Sequence, residues 1–387
     1  MRAETYRHTL PADWFYDPRQ YRRELKAVWY REWLCLGREE EWPRTGDYRR
    51  LCIGDEQVIV TRAEDGALRA FHNTCRHRGS VLCESDAGHF SNGRIVCPYH
   101  AWSYSLGGDL VKAPRSTSAD ALRLEDFPLY RVALESWRGF VFVNLSPRPR
   151  QSLRETLAGE ADNVAAWPLE DLRSVHRATH RLACNWKLFW ENYLECYHCP
   201  GVHPDLCRLV PVYRTGFMDY ADAGLEPDPL RPGAMLRPGA VTWSKDGETD
   251  LPWFDGLGPE DAERGMTFAT FLPTMFLVAH VDYVRTVRVA PLGPEQTELT
   301  VDWHVHRQAL DHPALKVENL IAFGSQVVVE DARVCELNQR GIRCSRHERG
   351  VLLEVETGVR EFEQWLQRQL GGEEAAVAMG ETGYGGS

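Results

Sequence analysis

The 387-residue sequence predicts an α+β fold in two parts: a small all-β domain, then a larger domain whose antiparallel sheet is wrapped and covered by helices. Three observations predict it. Short β-type runs broken by Gly, Pro and Asn fill 39–150, and Ser146-Pro147-Arg148-Pro149-Arg150 closes them as a linker. Strand patterns recur in 267–306 of the second part. Helical patterns of much greater length follow at 314–339 and 351–370. The length agrees with two domains of about 100–200 residues each.

The elements follow in order. Asp17 is placed to cap a helix whose first turn holds Pro18, with Tyr21, Leu25, Val28 and Trp29 at helical spacing. This segment, 1–38, is expected to pack on the second domain. Residues 57–61 and 67–72 flank Asp65-Gly66, a strong hairpin signal. RGFVFVNL at 138–145 reads as a buried strand. Past the linker, 152–167 predicts a helix and 175–182 a strand. A helix over 185–199 is expected to stop at Pro200-Gly201. The Pro-, Gly- and Asp-rich stretch 207–265 predicts long loops over a pocket, and Leu292-Gly293-Pro294 a turn between strands. The second domain is thus assigned 151–370, and GGEEAAVAMGETGYGGS (371–387) reads as a mobile tail.

Composition narrows the function. A net charge of −11, from 45 basic and 56 acidic residues, argues against a nucleic-acid partner. No run reaches the ~18 apolar residues of a membrane span, and the N-terminus lacks the apolar core of a secretory signal. The expectation is a cytoplasmic protein. Eleven cysteines in such a compartment point to metal binding or catalysis more than to disulfides. No G-x-G-x-x-G or P-loop lysine motif is present, so no nucleotide or nicotinamide site is expected.

Two constellations carry chemistry. In the β domain, Cys75 and His77 lie in C-R-H, and Cys97 and His100 in C-P-Y-H. Two Cys and two His also suit structural zinc. A zinc finger, however, groups its cysteines and its histidines, whereas here each pair holds one of each. That interleaving suits a [2Fe–2S] cluster with two thiolates on one iron and two imidazoles on the other. CRHRG (75–79) and CPYHAWSYSLGG (97–108) resemble the cluster loops of Rieske domains in oxygenases. By that resemblance Cys75 and Cys97 hold one iron, His77 and His100 the other. In the second domain, NWKLFWENYLECYHCPGVHP (185–204) places His198 and His203 on either side of the expected helix stop. Two imidazoles need one carboxylate to complete the facial triad of a non-haem iron(II) site.

A Rieske domain followed by E-N-x-x-acid-x-x-H-x4-H is similar to the α subunits of Rieske non-haem iron oxygenases, the aromatic-ring-hydroxylating dioxygenase family, over about 10–370. The resemblance implies a helix-grip type of catalytic domain and mononuclear Fe(II) on His198, His203 and a carboxylate of QVVVEDARVCELNQRG (326–341). The match falls on Asp331. Glu330 points about 100° away on a helix, so only one of the two can face the iron. Family members carry Asp three residues before the first histidine, bridging that ligand to a cluster histidine of the neighbouring subunit. Here the residue is Glu195, longer by roughly 1.5 Å, and the LECYHCP block resembles the branch acting on carnitine, choline and betaine.

The resemblance further implies dioxygen as co-substrate and electrons from NAD(P)H through a separate flavin/iron-sulfur reductase or ferredoxin. It also implies a homotrimer and a small quaternary ammonium substrate, oxidised with N-demethylation or C–N cleavage. Ring hydroxylation by the same metals is the alternative, and a non-enzymatic redox or zinc protein would leave the second constellation idle. A cation can be held on aromatic faces. The candidates are Tyr193, Tyr197, Trp243, Trp253, Phe271 and Tyr283. Arg285 or Arg288 could meet a substrate carboxylate, with strand direction undecided between them.

Overall fold

A computed structural model of the chain describes residues 7–117, 121–226 and 228–378. The chain forms two compact units, one of residues 29–156 and one combining 1–28 with 157–387. The β unit therefore begins before the expected 39 and runs past 150, and the division falls inside the N-terminal segment. Its larger sheet has seven strands in the order Leu34–Arg38, Phe140–Asn144, Arg131–Trp137, Leu68–His72, Glu56–Arg62, Asp47–Ile53 and Ala87–His89. The predicted hairpin sits at its centre, where Asp65 accepts the Ala67 N–H and Gly66 takes φ 79°. All five residues of Phe140–Asn144 are buried, as the unbroken apolar run requires. A three-stranded sheet, Arg94–Val96, Ser103–Ser105 and Leu110–Lys112, completes the unit.

The second unit is built on a five-stranded antiparallel sheet in the order Leu172–Leu182, Gln296–His306, Val284–Gly293, Met275–Ala279 and Thr267–Phe271. Helices Trp186–Tyr193, Val317–Ile342 and Thr357–Ala378 accompany it. Residues 152–167 form two short helices instead of one, Leu153–Leu157 and Glu160–Asn163, because Gly159 between them adopts φ 85°. The last helix reaches Ala378, through the start of the expected tail, and 379–387 lie outside the described residues. No helix among the described residues is long and apolar enough to cross a membrane.

The N-terminal segment folds as predicted at its start. Asp17 accepts the Arg19 N–H at 2.7 Å and Pro18 opens helix Pro18–Glu24. Glu24 then forms a fully buried ion pair with Lys187 at 2.8 Å. The Lys187 ammonium also donates to Asn185 Oδ1 and to the Trp14 carbonyl, so each of its three protons has an acceptor. A buried charge persists only when satisfied in this way. Asn185 in turn caps Trp186–Tyr193 and donates its own N–H to Gln339 Oε1 of the long helix. These contacts fix the helix that leads into the histidine segment.

Candidate metal centres and active site

Cys75 and Cys97 are carried on two loops that close in the same way. The Cys75 N–H donates to the Ser80 carbonyl and its own carbonyl accepts from Gly79; Cys97 does the same with Trp102 and Ala101. Both closing residues, Gly79 and Ala101, have positive φ, 74° and 58°. Gly79 meets that need without a Cβ penalty. Both cysteines are buried, with Cys75 Sγ 3.2 Å from the Tyr104 hydroxyl, and neither is in a disulfide. Burial pushes the Cys75 thiol up, and Cys97 beside it adds to the rise against a hydrogen bond from Tyr104. His77 and His100 are exposed, their rings 4.7 Å apart, and His77 stacks on Trp102 at 4.9 Å. Two inward thiols and two outward imidazoles fit a cluster bridged between a buried iron and an exposed one.

In the second unit the helix ends earlier than expected. Trp186–Tyr193 stops at Leu194, and Pro200 lies in the first turn of a new helix, Cys199–Val202, instead of ending the old one. Proline at a helix start loses no hydrogen bond. His198 is therefore the residue before one short helix, and His203 the residue between it and Pro204–Leu209. That turn brings the two Nε2 atoms to 3.2 Å. Cys196 and Cys199 around His198 are joined in a disulfide, an exception to the general expectation that the cysteines serve metal binding or catalysis. The bond ties the two ends of the turn that carries His198.

Asp331, in the middle of Val317–Ile342, completes the group. Its Oδ1 lies 2.8 Å from His203 Nε2 and 3.4 Å from His198 Nε2. The ligand atoms of His198, His203 and Asp331 all fall within 4.8 Å of one another. Each Nδ1 is engaged elsewhere: His198 with Glu195 Oε1 at 2.6 Å, His203 with Glu330 Oε2 at 2.7 Å. With Nδ1–H donated outward, two Nε2 lone pairs and a carboxylate oxygen converge, and a cation shared among them reconciles the three. Burial opposes charge on His198, but Asp331 and Glu195 raise it to about 9. His203 is raised against burial by Asp331 and Glu330, and Asp331 is lowered by both imidazoles. The donor set fits a 2-His-1-carboxylate iron site.

Glu195 also accepts the His198 backbone N–H at 3.1 Å, so each of its oxygens engages His198. Glu330 is the carboxylate that sequence reasoning weighed as a ligand. The 100° helical offset from Asp331 aims it at the far nitrogen of His203, a role the motif alone did not disclose. Gln326, one turn before, donates to Glu330 at 2.9 Å and steadies it.

The aromatic candidates divide. Tyr193 stacks on Phe276 at 3.7 Å, with its hydroxyl 3.1 Å from Thr270. Trp243 packs edge-to-face on Phe268 and Phe323, and the Tyr283 hydroxyl donates to its carbonyl. Phe271 is buried at the end of its strand. Tyr197 and Trp253 are 55% and 38% exposed, and the aromatic network does not gather them in. Phe268, Phe276 and Phe323 were missed, since apolar residues at strand and helix spacing read as ordinary core. The arginines divide as well. Arg288 pairs with Asp302 at 3.3 Å, while Arg285, three positions away on the strand and so on the other face, donates to the Gly324 carbonyl of the long helix.

Residues 169–372 match the family described as ring hydroxylating alpha subunit (catalytic domain), and 32–130 match the Rieske [2Fe-2S] domain. The chain is 32% identical to the glycine betaine monooxygenase oxygenase subunit of Chromohalobacter salexigens, over 92% of this chain and 85% of that protein. It is 28% identical to the chloroplastic choline monooxygenase of Beta vulgaris, over 94% and 77%. Among solved structures, the quaternary ammonium Rieske monooxygenase CntA in complex with L-carnitine shares the fold. Its TM-score is 0.71, with 22% identity over 94% of this chain and 96% of that one. The chain belongs to the Rieske ring-hydroxylating oxygenase α-subunit family, and it is an oxidoreductase of the Rieske oxygenase type.

Proposed function

We propose that this oxygenase hydroxylates an N-methyl group of a small quaternary ammonium compound, with Fe(II) on His198, His203 and Asp331 and the [2Fe–2S] cluster on Cys75, His77, Cys97 and His100. The observation that carries the metal reading is the convergence of three ligand atoms within 4.8 Å, each imidazole being held from behind by its own carboxylate. The substrate class rests on likeness over nearly the whole chain to proteins named for glycine betaine and choline. When bound, the iron supplies the activation of dioxygen, using electrons relayed by the cluster.

The chain's own residues do the rest. Glu195 and Glu330 hold the Nδ1 protons of His198 and His203 and keep both Nε2 atoms available. The exposed edge of His77 and His100 is the point of electron entry and exit, facing a separate reductase or ferredoxin fed by NAD(P)H. Tyr193 and Tyr283, with Phe268, Phe276 and Phe323, offer aromatic faces to the cation at about 0.5–2 kcal/mol each. One oxygen atom enters a methyl C–H bond. The other leaves as water, with two electrons and two protons supplied from the reductase side and solvent. The hydroxymethyl ammonium then loses formaldehyde and a proton, leaving a tertiary amine. A homotrimer, with Glu195 reaching the neighbouring subunit's cluster, completes the reading.

The test is coupled turnover. Oxygen uptake in the presence of reductase should be stimulated by trimethylammonium compounds, with formaldehyde appearing one for one. A neutral isostere with carbon in place of nitrogen should bind about tenfold or more worse, from the loss of two or three cation–π contacts. Coupled turnover of aromatic acids, with indifference to every quaternary amine, would overturn the substrate class in favour of ring hydroxylation.

A further inference from the structure

Arg285 is a buried cation without a counter-ion. It is 5% exposed, makes no ion pair among the described residues, and its Nε has no hydrogen-bond partner. Its one protein acceptor is the Gly324 carbonyl at 3.2 Å. The guanidinium carbon lies 5.7 Å above the Trp243 ring. Two further buried donors near it are also unpartnered: the indole Nε1 of Trp243 and that of Trp303, the residue directly across the sheet from Arg285. A Cβ on Gly324 would stand 2.7 Å from an Arg285 guanidinium nitrogen and 3.4 Å from Trp303 Nε1, so the missing side chain of that glycine lets both groups approach the helix at one place. Buried polar groups in proteins are satisfied in roughly nine cases of ten or more, and a buried charge needs an opposite one.

The position in the fold says what the missing partner is. Gly324 and Asp331 are seven residues apart on one helix, hence on the same stripe and about 10 Å along its axis. Burial lowers Arg285, while Tyr283, Asp331 and Tyr193 around it favour the charged form. Asp331 is already shared by two imidazoles. The stretch between is thus polarised, with the carboxylates of the proposed iron site at one end and an uncompensated guanidinium at the other. The aromatic ring of Trp243 lies beside the guanidinium, and Tyr193 within its electrostatic reach.

We infer that Arg285, with the indole N–H groups of Trp243 and Trp303, seats the carboxylate of the substrate, so that the preferred substrate is a short zwitterionic betaine and not a quaternary amino alcohol. This rests on the quaternary ammonium reading above and makes it more specific. The ammonium is repelled from Arg285 and drawn to the acidic end, which turns an N-methyl group toward the iron ligands. Arg288 cannot serve, because Asp302 neutralises it on the opposite face of the sheet.

The test compares trimethylglycine, its methyl ester and choline on the intact wild-type enzyme with its reductase, then repeats the series on Arg285→Gln and Arg285→Lys. The expected wild-type result is a kcat/KM for trimethylglycine about 100-fold above that for the ester or choline, the scale of one charge-assisted bidentate contact. Arg285→Gln should raise KM for trimethylglycine about 100-fold and bring the betaine-to-ester ratio to within a few-fold. Arg285→Lys should fall between, since a point charge loses the fork. Calorimetric titration of the wild-type protein with trimethylglycine and its ester gives the same discrimination without turnover. Equal binding and turnover of ester, choline and betaine by the wild type would overturn the inference while leaving the quaternary ammonium reading intact. Absence of binding and turnover for all three compounds would instead remove that reading and the inference with it.

Discussion

Each imidazole of the proposed iron site is held by a carboxylate on the nitrogen that faces away from the other ligands. Glu195 comes from the same turn as His198 and Glu330 from the long helix. Such partners fix the tautomer and ring angle, and losing one typically costs 10–100-fold in metal affinity. Glu330→Gln should therefore retain iron on purification yet release it to a chelator about 10–100-fold more readily than wild type. Asp331→Asn should yield protein with its cluster and no tightly held mononuclear iron. Iron and acid-labile sulfide per chain, measured before and after chelation, check both. Equal chelator resistance of Glu330→Gln and wild type would refute the orienting role of Glu330.

At the scale of elements, the last helix contributes a titrating contact outside the proposed metal ligands. Glu363 on Thr357–Ala378 is buried and accepts the Leu10 N–H at 3.0 Å. Burial, with Glu356 adding its charge, raises Glu363 from the usual 4.5 to about 7. Between these two values the unfolded chain has lost its proton and the folded one keeps it, so stability falls as pH rises from 4.5 to about 7 and stays lower above. Gln at this position retains the acceptor and removes the charge. Glu363→Gln should be more stable than wild type at pH 8 by on the order of 1 kcal/mol after solvent screening, and indistinguishable at pH 4.5. Thermal unfolding across that range reads the difference, and a pH-independent gap would contradict it.

The same elements show what the sequence could and could not disclose. The cluster loops and the His198/His203 turn were legible because the ligands lie within a few residues of each other, where spacing is nearly geometry. The five-stranded sheet and the long helix were legible from their periods. The break after Leu194 was not, since LECYHC has no proline or glycine to mark it, and Pro200 serves equally as a stop or a start. Nor could Arg285 be told from Arg288. One residue of strand phase reverses which face a side chain occupies, and only pairing with Val278 and Trp303 fixes it. The Cys196–Cys199 bond was hidden because C-x-x-C reads alike as disulfide, thiols or metal ligands.

At the scale of the molecule, each of the two units carries one of the proposed metal sites. The β unit packs Ile59, Phe71, Ile95, Tyr104 and Leu106 around Cys75 and Cys97. The other unit sets its ligands between a sheet and helices of its own. A lesion in one should therefore leave the other's metals in place, and defective chains can be combined. Cys97→Ala should abolish turnover by removing the cluster, and Asp331→Ala by removing the iron, each without unfolding its partner unit. If electrons pass from the cluster of one subunit to the iron of its neighbour, chains carrying the two lesions complement each other when co-expressed in one trimer. In a random equal mixture, half the chains keep a working iron site, and half of those receive electrons from a neighbour with a working cluster. The expected activity is about a quarter of wild type per chain, from the directional contacts of a cyclic ring. Transfer confined within each chain predicts none, because no chain then holds both a cluster and an iron. Activity of the co-purified mixture, set against the two variants mixed after separate purification, distinguishes the outcomes: complementation in the first sample, and in the second only as subunits exchange.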